Sequence, residues 1–89
     1  MVSAEINIVN KLGLHARAAA KFVTLASSFD SGIKVARGSR CVNGKSIMGV
    51  MMLAAGKGMQ IEVTADGVDE VMAIEQLQQL VAQRFGEEE

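Results

Sequence analysis

The sequence predicts an α+β two-layer sandwich: a four-stranded antiparallel sheet covered on one face by three helices, in the order βαββαβα. Two observations lead there. Four short runs read as strands, three of them by clear two-residue alternation, so that their inward residues suit a sheet with one covered face. Two longer stretches and one short one repeat apolar residues at helical spacing instead, and they fall between and after the strands. The chain has 89 residues, enough for one domain (1–89) and not two.

Val2–Val9 alternates, with Ala4, Ile6 and Ile8 on one face and Glu5, Asn7 and Val9 on the other, as a half-buried strand should. Ala16–Ser28 reads as a helix. Ala19, Phe22, Val23 and Ala26 form its stripe, Leu25 and Phe29 extend it, and Arg17, Lys21 and Thr24 face out. Asp30-Ser31-Gly32 stops that helix. Ile33–Arg37 alternates again with Ile33 and Val35 inward, and Gly38-Ser39 turns it into a short return strand, Arg40–Val42. Asn43-Gly44 makes the next turn.

Ser46–Leu53 comes next as a short helix, with Ser46 as N-cap and Ile47, Val50 and Met51 at helical spacing. Met48 and Met52 make it apolar almost all round. Such a helix is either buried on every side or presents an adaptable apolar face to partners. After the loop Ala54–Met59, the run Gln60–Ala65 alternates with Ile61, Val63 and Ala65 inward. Asp66-Gly67 turns into a last helix, Val68–Phe85. Its expected buried face is Val71, Ile74, Leu77, Val81 and Phe85, helped by Met72 and Leu80. Asp69 and Glu70 suit its positive start and Arg84 its end. Gly86 closes it, and Glu87–Glu89 are expected as a solvated tail.

Composition narrows the function. Nine basic and ten acidic residues give a net charge of −1, which supplies no general pull toward nucleic acid or anionic membrane. Three Phe with no Trp or Tyr leave little for stacking bases. The single Cys41 cannot form an internal disulfide, and with one His it cannot build a zinc site. A small core or half-buried hydrophobe is its expected role. The N-terminus lacks the basic segment and apolar run of a signal peptide. No apolar stretch reaches the roughly 18 residues that span a bilayer. A cytoplasmic protein without metal or cofactor is the expectation.

The functional signal concentrates in Asn10–Lys21, reading NKLGLHARAAAK. His15, the only histidine, sits where a strand-to-helix turn opens a helix, with Gly13 supplying backbone freedom and Ala16–Ala20 helix propensity. A helix start leaves backbone N–H groups unpaired and carries partial positive charge, so it attracts anions. Arg17 adds a planar multi-donor cation suited to phosphate oxygens. The same positive field disfavours a charged imidazole and leaves a nitrogen lone pair free. A nucleophilic imidazole beside an oxyanion cradle points to a phosphohistidine site. On spacing alone, an ordinary loop histidine or imperfect cap is the favoured reading of the pattern.

The segment GLHARAAAKFV resembles the phosphorylation site of the HPr family, the histidine-containing phosphocarrier proteins of the bacterial phosphotransferase system. NGKSIMGVMMLAAGKG, at Asn43–Gly58, resembles that family's regulatory-serine region, and the two blocks stand at the family's usual separation. The resemblance runs from end to end and implies the HPr open-faced β-sandwich. It implies that a phosphoenolpyruvate-dependent enzyme I phosphorylates His15 on Nδ1, and that His15 passes the group to an EIIA-type acceptor. Amides of Ala16 and Arg17, with the Arg17 guanidinium, would hold the phosphoryl oxygens. Ser46 would be a regulatory site for an HPr kinase/phosphorylase, where the residue alone reads as a plain cap. Ile47, Met48 and Met51 are expected as partly exposed docking contacts. Lys21, Lys45 and Lys57 read either as docking charge or as a solvated face. The protein is then a monomeric carrier and not an enzyme.

One departure is Ala18, where many members of the family carry proline; alanine suits a first helical turn equally well. Two other readings stand beside the carrier. One is a regulatory HPr-like docking module controlling an enzyme or transcription regulator. The other is a stand-alone enzyme with His15 as general base, for which no second His and no flanking acidic pair is available.

Overall fold

Alternation sets the two faces of the sheet. The computed structural model describes residues 1–88. Its strands β1 (Val2–Asn7), β2 (Gly32–Arg37), β3 (Arg40–Asn43) and β4 (Gln60–Asp66) form one antiparallel sheet in the order β1-β4-β2-β3. Ile6 lies opposite Ile61, and Ala4, Val63, Val35 and Val42 make one row across all four strands. A one-residue slip would turn this apolar set to solvent, which is what pins the register. The other face is polar. Ser3 and Thr64 hydroxyls bond at 2.9 Å there, and Lys34 pairs with Thr64 on one side and Asn43 on the other.

Three helices cover the apolar face: α1 (Ala16–Ser27), α2 (Ile47–Met52) and α3 (Glu70–Ala82). Ala18, Ala19, Phe22, Val23 and Ala26 of α1 and Ala73, Ile74, Leu77 and Val81 of α3 enter one core with the inward strand residues. Each fully buried Val, Leu or Phe side chain contributes about 1.5–3 kcal/mol relative to exposure. The expected order of elements and the expected inward residues of β1, β2 and β4 are as found. Among the described residues no helix is long and apolar enough to cross a membrane.

The last helix differs from its expectation. It runs Glu70–Ala82 and not Val68–Phe85, and Val71 and Met72 are 57% and 55% exposed while Ala73 is fully buried. The stripe that faces the sheet is Ala73, Ile74, Leu77 and Val81; Val71 and Met72 point round the helix away from it. Ala73 carries no bulk that would prop the helix off the strands. Beyond Ala82 the chain leaves the helix in a tight turn, where Arg84, Phe85 and Gly86 all take positive φ of 57°, 55° and 79°. Phe85 still reaches the core, at 1% exposure.

Three smaller expectations also fail. Cys41 is exposed, because its β3 position pairs with Ala36 on the polar face of the sheet. Glu87 is not solvated but half-buried against the start of α1, whereas Glu88 is exposed and Glu89 lies outside the described residues. Strand β1 ends two residues early, at Asn7; Ile8 nonetheless stays buried and exchanges backbone bonds with Met59 and Gly58 at 2.9 and 2.8 Å.

The start of α3 is tied to the α1–β2 turn rather than to its own first turn. The Asp69 carboxylate accepts from the backbone N–H groups of Asp30 and Ser31 at 2.8 and 2.9 Å, and from the Ser31 hydroxyl. The Ser31 hydroxyl and then the Asp30 amide hold the Asp69 carboxyl below the usual carboxylate range.

Candidate functional site

The segment before α1 is fastened on both sides. Gly13 N–H bonds Asn10 O at 3.2 Å and Leu14 N–H bonds Ala55 O at 2.9 Å. Gly13 has φ +65°, and a Cβ there would stand 2.5 Å from Ala55 O, so both conformation and space require glycine. Leu14 buries its side chain at 5% exposure. These fixed points set the position of the next residue, His15.

His15 is the N-cap of α1, in extended conformation (φ −73°, ψ 177°). Its Nδ1 accepts the backbone N–H of Arg17 at 3.3 Å. Nδ1 is therefore the bare nitrogen of the ring, and the proton of a neutral imidazole sits on Nε2. The first intrahelical bond runs from Ala19 N–H to His15 O, at 2.8 Å, so the amides of Ala16, Arg17 and Ala18 all precede the helical ladder. All three lie at the positive end of the helix, and the Arg17 amide is the one that faces the bare nitrogen. Ala18 is fully buried in this first turn.

The far side of the ring is occupied as well. His15 Nε2 bonds Glu87 Oε2, and the other carboxylate oxygen, Oε1, accepts from Asn10 Nδ2 at 3.0 Å. Asn10 is fully buried, and its same amide nitrogen also donates to Gly13 O at 2.8 Å. Asn10 and then His15 hold the Glu87 carboxyl below the ordinary range for glutamate.

The structure brings His15 and Arg17 together through the Arg17 amide, while the guanidinium side chain stays exposed. Ser46 is half-buried and caps α2, its hydroxyl accepting Gly49 N–H at 3.1 Å. Helix α2 packs on α1. Ile47, Met48 and Met51 are 44%, 73% and 40% exposed, so α2 buries Val50 and turns its other large side chains outward. Met52 and Leu12 are exposed too. Lys21 and Lys45 have local duties, donating to Phe85 O at 2.6 Å and Phe29 O at 2.8 Å, while Lys57 is exposed.

Asn10 and Glu87 are the members of the site that sequence reasoning misses. Asn10 stands five residues before His15 without a motif of its own, and Glu87 lies in an acidic run that resembles a solvated tail.

The model of the family described as PTS HPr component phosphorylation site matches residues 2–83. The phosphocarrier protein HPr of Cupriavidus necator is 53% identical over 89 residues, covering all of both chains. The crystal structure of HPr from Thermoanaerobacter tengcongensis superposes with a TM-score of 0.96 at 47% identity, again over the full length of both chains. An HPr structure from Bacillus anthracis superposes with a TM-score of 0.87 at 41% identity, covering 90% of this chain and 95% of that one. Sequence and architecture thus agree over the whole length that carries His15 and its surroundings, and the chain belongs to the HPr family of phosphotransferase-system phosphocarrier proteins.

Proposed function

We propose that this phosphocarrier receives its phosphoryl group on His15 Nδ1 from phospho-enzyme I and gives it up to an EIIA-type acceptor. The observation that carries the reading is the bare Nδ1 held at the N-terminus of α1 by the Arg17 amide. In the forward step the Nδ1 lone pair forms a bond to phosphorus, and the donor atom leaves with the electron pair of its own bond to phosphorus. The long 3.3 Å contact to Arg17 N–H is given up as the lone pair is used, and that amide turns to a phosphoryl oxygen. The neighbouring Ala16 amide and the exposed Arg17 guanidinium supply further donors as the partner brings its phosphoryl group in. Positioning and charge stabilisation are what such a transfer needs. The phosphoramidate stays reactive, so the protein carries and does not turn over alone.

The exposed Ile47, Met48 and Met51 on α2 are the proposed docking contacts for both partners. Ser46, at the start of that helix, is the proposed site for an HPr kinase/phosphorylase. Phosphate there is favourable for the helix yet places negative charge in the docking surface. Ser46→Asp is expected to stay folded and to accept phosphoryl from enzyme I at least several-fold more slowly. An unchanged rate argues against the regulatory reading.

The test is phosphoenolpyruvate with purified enzyme I, using the sugar-type and the nitrogen-type donor separately, read by intact mass and acid lability. One acid-labile phosphate is expected on the chain and none on His15→Ala, and the faster donor indicates the branch. No phosphate from either donor on a folded chain rejects the carrier role of His15 and leaves a docking module.

A further inference from the structure

The residues behind His15 are as carefully placed as those in front of it. Three features bring Glu87 there. Phe85 is anchored in the core at 1% exposure. The Lys21 ammonium holds Phe85 O at 2.6 Å. Between them the chain reverses through Arg84 and Phe85, two non-glycine residues at φ of 57° and 55°, a conformation that L side chains avoid and that persists only where surroundings impose it. Buried Asn10 then holds one oxygen of the Glu87 carboxylate and leaves the other for His15 Nε2. A tail merely resting on the surface would need neither the reversed turn nor a buried amide to receive it.

We propose that Glu87, seated by Asn10, is the positioning residue for phosphoryl transfer at His15. It keeps the ring proton on Nε2, and so keeps Nδ1 bare in the free protein and the ring a good leaving group in the phosphorylated one. The inference rests on His15 being the phosphoryl acceptor, as proposed above. When Nδ1 bonds phosphorus, the ring keeps its Nε2 proton and becomes a phosphoimidazolium; the carboxylate meets the new positive charge through the hydrogen bond it already makes. In onward transfer the N–P bond breaks and its electron pair returns to Nδ1. With the proton retained, the departing group is neutral imidazole rather than imidazolate, a far better leaving group. Asn10 matters because its bond keeps the carboxylate acidic, so that the proton stays on the ring. Besides His15, the charged group that acts on the Glu87 carboxylate is Lys21 of α1, while Lys11, Lys57, Arg84 and Glu88 line a shallow hollow that includes neither His15 nor Glu87. All but Glu88 are cationic, and Glu87 is the negative charge bonded to the ring.

Two variants separate the parts of this role. Glu87→Gln keeps an oxygen that can accept from Nε2–H but removes the charge; Glu87→Ala removes both. With histidine labelled in its ring nitrogens, nitrogen NMR across roughly pH 5–9 reads tautomer and protonation without any phosphotransfer. The wild-type ring is expected in the Nε2–H form when neutral. Glu87→Gln should keep that form but shift the ring nitrogen signals as the neighbouring charge is lost, and Glu87→Ala should show mixed tautomers. In the enzyme I assay and in onward transfer to an EIIA-type acceptor, both variants are expected to be about tenfold slower, a change of about 1.4 kcal/mol in the barrier. Circular dichroism establishes that they fold. If the wild type is phosphorylated and both variants match its rates, the proposal is wrong while the carrier reading stands. Slower transfer with unchanged ring signals overturns it as well, because Glu87 would then act through docking. A wild type that takes no phosphate fails the carrier reading itself, and this inference with it.

Discussion

At His15 the two ring nitrogens face opposite chemistry, an amide from the helix start on Nδ1 and a carboxylate on Nε2. Single residues earlier in the turn make that possible. Gly13 is the most sensitive, since its φ of +65° and the 2.5 Å approach to Ala55 O leave no room for a side chain. Gly13→Ala is expected to lower stability by about 2 kcal/mol, combining the left-handed penalty with displacement of the loop after α2. It should also slow phosphoryl acceptance by moving the N-cap. Urea denaturation and the enzyme I assay check the two effects together; a variant as stable as wild type would mean the loop gives way freely. His15, Arg17 and Gly13 are legible in the sequence because they are neighbours in one turn, whose chemistry depends on local order. Asn10 and Glu87 are not. Nothing within a few residues of Glu87 indicates that the chain will reverse and bring it to a residue 72 positions away.

Among the elements, the strands are the most legible, because alternation at Ile33, Val35, Ile61, Val63 and Ala65 has one reading when a face is covered. The third helix is legible in kind but not in extent. Phe85 continues the apolar spacing of Ile74, Leu77 and Val81, so periodicity extends the helix to it; the tail contacts through Lys21 and Asn10 end it at Ala82 instead. Its start depends on Asp69, whose carboxylate binds across to Asp30 and Ser31. Because the folded protein holds this carboxyl below its ordinary range, its contribution is fully present above the unfolded value of about 4 and is lost as pH falls through the lower folded value. Asp69→Asn should therefore unfold more easily than wild type at about pH 7. The difference should shrink on acidification below about pH 4, where wild type loses the charge too. Thermal melts at a series of pH values measure this. A gap that stays constant down to about pH 2 would show that the carboxylate's charge plays no part.

Stability and chemistry are largely separate in the molecule as a whole, since the core lies between helices and sheet while His15 sits at the rim where α1 begins. Phe85 is the place where they meet: it fills the core, and it carries the turn that delivers Glu87. Phe22 is buried as completely but lies in the middle of α1, away from that turn. Truncating either to alanine is expected to cost about 3–5 kcal/mol, a large share of the roughly 5–15 kcal/mol typical of a folded protein. The two should nevertheless part company at the site. In the folded fraction at low temperature, Phe22→Ala should keep the His15 ring nitrogens of the wild type. Phe85→Ala should shift them toward the pattern of Glu87→Ala, because the reversed turn has lost the anchor that holds it against its own strain. If both variants kept wild-type ring signals, Lys21 and Asn10 alone would be sufficient to seat the tail. If both lost them, the ring would be responding to general loosening of the core rather than to the placement of Glu87.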